Sequence, residues 1–126
     1  MTDPTTNAAV RRRYEAGQSL NDGAPKATAT DEPANGADTA VAADTGVHIV
    51  TPDGTNTVDL SNAEEAGCEV TVVHAAGGAN TPAVAFDDAD FVGTGPANMT
   101  SAGATATVQN TDGTASGWVV VSTGSA

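Results

Sequence analysis

Large apolar side chains are few along this chain, and they are unevenly spread. Of its 19 Leu, Ile, Val and Phe residues, only Val10, Leu20 and Val41 precede residue 47. Beyond that point they fall in short runs between turn residues, often with the period of two that marks a half-buried strand. Residues 47–51 lead into Pro52-Asp53-Gly54, where Pro presets φ and Gly accepts positive φ. Residues 57–60 follow, so the spacing predicts a hairpin over 47–60. The clearest strand is residues 68–74 (CEVTVVH), closed by Gly77-Gly78. Residues 82–86 and 90–92 are weaker strands, the first demoted to an edge or a strand start by Pro82. Residues 104–109 (ATATVQ) alternate cleanly, Asn110-Thr111-Asp112-Gly113 turns the chain, and residues 117–123 (GWVVVST) close it. Residues 61–66 have room for one helical turn at most.

About seven short strands at roughly ten-residue spacing predict an all-β fold, a small β-sandwich or barrel. The expected division is an extended arm or linker over residues 1–46 and a β-sandwich domain over 47–126. Residues 24–46 have no apolar period and read as an extended segment. Asn7 as a cap and Gly17 as a stop allow a short helix at 7–17, which is marginal in water without a surface to dock on.

The 126 residues carry 16 acidic and 4 basic side chains, a formal charge of −12. All four basic residues (Arg11, Arg12, Arg13 and Lys26) lie in the first 26 positions, and the remaining 100 residues hold 13 acids and no Lys or Arg. Such self-repulsion weakens a compact state at ordinary ionic strength. In molar salt the Debye length falls to about 3 Å and most of it is screened. No apolar run approaches the roughly 18 residues of a membrane span, and no secretory leader is expected. The core is thin, built mostly of Val and Ala, so association with copies or a partner is the expected source of further stability.

Candidate chemistry is sparse. The lone thiol, Cys68, excludes an internal disulfide and a cysteine-rich zinc site. Cys68 and His74 are six apart, roughly 20 Å along one strand, too far for a nucleophile and its base. An inert buried thiol and two surface or turn histidines, His48 and His74, are expected. Asp87-Asp88-Ala89-Asp90 lacks the glycine and distal glutamate of a calcium loop and reads as solvated acids. Glu64-Glu65 reads likewise. No glycine-rich stretch follows a strand and opens a helix. Asn98-Met99-Thr100 is the sole glycosylation sequon. No catalytic residue, metal site or cofactor is therefore expected. The side chains expected to pack the core or join copies are Val70, Val72, Phe86, Phe91, Trp118 and Val120.

Several features carry a resemblance. They are residues 58–60 leading to Ala66-Gly67-Cys68-Glu69-Val70-Thr71-Val72-Val73, the glycine turn, the alternating Ala/Thr/Val strand, the Thr111-Asp112-Gly113 turn and the closing Gly117-Trp118-Val119-Val120-Val121-Ser122. This pattern, over about residues 57–123, resembles the small β-domain of head-decoration and fibre proteins of tailed viruses. The Asp-rich, lysine-poor composition resembles that of proteins from extremely halophilic archaea and their viruses. Together these imply a structural virion protein of a haloarchaeal tailed virus, located on the capsid surface as a decoration, cement or turret. They imply a homo-oligomer, a trimer first, with the major capsid protein or other virion proteins as partners. The alternative is a host-recognition fibre or adhesin module binding cell-surface glycan or S-layer. Arg11-Arg12-Arg13-Tyr14 is the only cationic patch. Guanidinium groups pair bidentately with carboxylates, so this segment is the expected capsid-anchoring arm. Neither nucleic acid nor membrane is an expected partner for a domain this acidic.

Overall fold

The computed structural model of the chain describes residues 26–76 and 81–125. The expected helix at 7–17, the anchoring residues Arg11 to Tyr14 and the Gly77-Gly78 turn lie outside the described residues.

Among the described residues the fold is all-β, with eight strands in two sheets. In chain order they are β1 (Ala27–Asp31), β2 (Thr39–Ala40), β3 (Thr45–Val50), β4 (Thr55–Asp59), β5 (Glu69–His74), β6 (Ala83–Phe86), β7 (Thr105–Asn110) and β8 (Trp118–Gly124). The larger sheet runs β1-β3-β5-β7-β8 and the smaller one β2-β4-β6. The first six strands alternate between the sheets, and all neighbours among them pair in parallel. The chain thus winds three times from the large sheet to the small one and back, each turn laid on the last. β7 then returns antiparallel to β5, and β8 antiparallel to β7.

Two expectations are corrected by this winding. Residues 47–60 do not form a hairpin, because β3 and β4 belong to different sheets. The Pro52-Asp53-Gly54 segment is an arc that carries the chain across the core, and each strand finds its backbone partners in the windings before and after it. Gly54 is required there: it has φ +67°, and a Cβ would collide with the Asn35 side chain in the arc beneath. The expected boundary at residue 46 also falls inside the sheets. Residues 27–31 pair with β3 and residues 39–40 with β4, while Val41 is fully buried. Small Ala and Thr side chains suffice for this winding because it closes only one end of the stack.

The arcs are tied by Asn56, which is fully buried. Its side-chain amide donates to Ala34 O (3.0 Å) and Ala37 O (2.7 Å), and its carbonyl accepts from the Asp53 amide (2.7 Å). One side chain therefore satisfies backbone groups of two consecutive arcs, groups that would cost about 1–3 kcal/mol each if buried without partners.

Alternation places the core as the sequence pattern requires. Val70 and Val72 of β5 and Ala106 and Val108 of β7 face Val58 of β4 and Val84 and Phe86 of β6, all buried. Leu60, Phe91, Met99 and Trp118 are the largest of the other core side chains. Phe86 and Phe91 meet edge to face with ring centroids 6.0 Å apart. Residues 90–92 are not a regular strand. A 3-10 turn over Asp88–Asp90 precedes a single bridge between Phe91 and Trp118.

Candidate functional site

Five of the six side chains expected to pack are buried: Val70, Val72, Phe86, Phe91 and Trp118. Val120 is 37% exposed. The register explains why. Val108 lies opposite Val120, so both point to the inner face. The small sheet has three strands against five, and Met99, bridged to Val84 of β6, adds one further row. Among the described residues no strand of the small sheet stands opposite β8 beyond Trp118, and residues 96–101 face its far end only across a groove, so the inward Val120 is left partly exposed.

The outer edge of β8 is open as well. Val92 N donates to Trp118 O (2.8 Å), and beyond that bond no described strand lies alongside. A bulge shifts the register between Thr107 and Val108 and throws out Val121, which is 50% exposed. Val92, beside Trp118, is 64% exposed. The three large apolar residues exposed on the described surface, Val92, Val120 and Val121, therefore gather along one strand edge.

The other edges are guarded. β1 is flanked by Lys26 and ends on Asp31-Glu32, β2 has two residues, and β6 is bridged by Met99. Charge follows the same division. Fifteen of the 16 acids precede residue 91, and from Phe91 onward the only charged side chain is Asp112. Asp112 is held in its own loop, accepting from the Thr114 hydroxyl (2.7 Å) and amide (3.0 Å), which lowers its carboxyl pKa. The windings are acidic, and the β7–β8 end is neutral.

Beside this edge lies a groove of about 340 Å3 between residues 96–101 and the β7–β8 pair. Asn98, Thr100, Ser101, Thr105, Thr123 and Ser125 line it with hydroxyl and amide groups over a floor of Met99 and alanines. Asn98 of the glycosylation sequon is exposed at its rim.

The histidines were expected at the surface or in turns, and both are buried, at 2% (His48) and 1% (His74) exposure. Strand phase carries this signal: His48 is in step with Val50, and His74 with Val70 and Val72. His48 belongs to a chain of contacts across three strands. The Thr39 hydroxyl donates its only proton to Asp31 (2.6 Å), so His48 Nε2–H must donate to Thr39 (2.8 Å). This leaves Nδ1 unprotonated, buried and without a partner. Burial lowers the His48 pKa from its ordinary 6.5, opposed by the Asp31 carboxylate. The unfolded chain then binds a proton that the folded chain refuses, so stability should fall as pH drops below 6.5 and level off below the folded value. The slope for one proton is at most about 1.4 kcal/mol per pH unit. Urea titrations in molar salt at several pH values should show this decline, and His48→Gln should remove it.

Cys68 is buried beside the Lys26 ammonium (3.5 Å) just before β5, while His74 ends that strand with its Nδ1 against Ala75 O. The two do not meet. The acids at 87–90 act within the fold: Asp87 accepts from the Ala89 amide (3.0 Å) and Asp88 from the Gly95 amide (2.9 Å). The Asp90 carboxyl is raised by burial and then by neighbouring carboxylates, Asp87 foremost. Among the described residues no group of His, Cys, Asp and Glu is placed to hold a metal ion. None of their helices is long and apolar enough to cross a membrane. No family model, curated protein or solved structure matches this chain.

Proposed function

We propose that this chain is a non-enzymatic structural protein of a haloarchaeal tailed virus, decorating or cementing the capsid surface or forming a turret on it. The observation that supports this reading is the segregation of surface chemistry. Acid-coated windings suit exposure to concentrated salt, whereas the neutral β7–β8 end offers exposed valines and an open strand edge for contact. The Arg11-Arg12-Arg13-Tyr14 segment supplies the opposite charge needed to hold an acidic shell protein, so it is the proposed anchor. Work is done by many weak contacts, with no reacting group.

A second reading is favoured by the groove at residues 96–101. An uncharged pocket lined by hydroxyls and one amide matches the hydrogen-bonding surface of a sugar, as a host-recognition fibre or adhesin module would need.

Quantitative mass spectrometry of virus particles from the culture carrying this gene separates the two. Decoration predicts a copy number comparable with that of the major capsid protein. A few copies per particle would transfer the chain to a fibre or spike, and its absence from particles would overturn both.

A further inference from the structure

We infer that the open edge of β8 seats a second copy of this chain, the two β8 strands pairing antiparallel about a two-fold axis near Val120 and Val121. The inference deepens the assembly reading above and rests on it for its biological setting. Three observations select this occupant. First, the edge from Val119 to Gly124 has no hydrogen-bonded strand neighbour among the described residues, and an antiparallel strand edge is complementary to itself. Second, Val92, Val120 and Val121 flank that edge, so pairing would cover the large apolar side chains that the described surface leaves exposed.

The third observation is charge. Two copies approaching through their windings would set carboxylates against carboxylates, because that surface holds every acid of the described residues but Asp112, and no Lys or Arg beyond Lys26. Only the neutral end lets identical molecules meet without that cost. A basic partner would be drawn to the acidic windings instead. Pairing here joins two five-stranded sheets into one continuous sheet and sets the two partly exposed Val120 side chains together over its centre. It is a two-fold device, and it replaces the trimer implied by the viral resemblance with a dimer.

The test uses the full chain in molar potassium chloride. Light scattering after size separation should give twice the chain mass. Val121→Asp should weaken dimerisation roughly 30-fold or more, the effect of losing a residue at an interface centre. Thr28→Asp, an equal charge on the far edge strand β1, should leave the dimer unchanged. Circular dichroism and Trp118 fluorescence check that each variant is folded. Independently of any variant, β8 amides should exchange with deuterium more slowly as wild-type concentration rises, and β1 amides should not. A monomer at all concentrations, a trimer, or a dimer indifferent to Val121→Asp with unprotected β8 amides would overturn the inference. A dimer from a chain missing in virus particles would uphold it while removing the virion reading, and a monomer found in particles would do the reverse.

Discussion

In dilute buffer the chain is expected to be unfolded, and in molar potassium chloride folded. Beyond Lys26 it carries 13 acids and no compensating Lys or Arg, and all of these acids but Asp112 lie on or just after a three-winding stack with a core built largely of valine. At about 0.1 M salt the Debye length is about 10 Å, long enough for carboxylates on neighbouring windings to repel one another; at 1 M it is about 3 Å. A domain of this size has a net stability of about 0.05–0.15 kcal/mol per residue, so modest repulsion summed over many acids is decisive. Circular dichroism during a potassium chloride titration measures the effect. A spectrum unchanged from molar to dilute salt would contradict it.

Trp118→Ala should be the most damaging single substitution in the described core, costing about 3–5 kcal/mol. Trp118 is fully buried, heads β8, and meets Phe91 through the bridge that closes the neutral end. Removing it opens a cavity where β7, β8 and the Phe91 segment converge, and the remaining Val and Ala side chains are too short to collapse into it. The loss would take much or all of the stability available, so the variant should be unfolded, or melt at far lower urea, in molar salt. Trp118 Nε1 is buried and makes no hydrogen bond among the described residues. Trp118→Phe therefore sheds an unpaired donor while keeping most of the ring, and should cost much less than the alanine variant. Val121→Ala, at an exposed bulge, should stay within about 0.5 kcal/mol of wild type at chain concentrations too low for dimerisation. Urea midpoints of the three variants in molar salt test this ranking.

The strands most visible from sequence are those with one face in the core and the other in solvent. Residues 68–74 and 104–109 alternate because Val70, Val72, Ala106 and Val108 point inward, between the outward Glu69, Thr71 and Val73 of β5 and Thr105 and Thr107 of β7. Alternation reports which face is buried, and it is silent on which strand lies alongside and in which direction. The Pro52-Asp53-Gly54 segment therefore reads equally well as a hairpin turn or as an arc between sheets, and the parallel winding goes unseen. β1 escapes detection for a different reason. Its ATATD segment alternates, yet it lacks the large apolar residues that announce a strand, because it covers the end of the stack rather than its middle. The packing role of Trp118 follows from its bulk. The exposure of Val120 depends on the small sheet ending short of β8, which no local pattern encodes. The Asp31–Thr39–His48 contact joins three strands and could not be assembled from spacing alone.

The winding also sets an order of events on the ribosome. Each of the first windings has its partner in chain already made: β3 pairs with β1, and β5 with β3. The growing end of the stack stays unfinished until Trp118 and β8 have been made. An early stop in translation would therefore leave a stack without Trp118 in its core, and the quality-control machinery of the cell would meet that unfilled core.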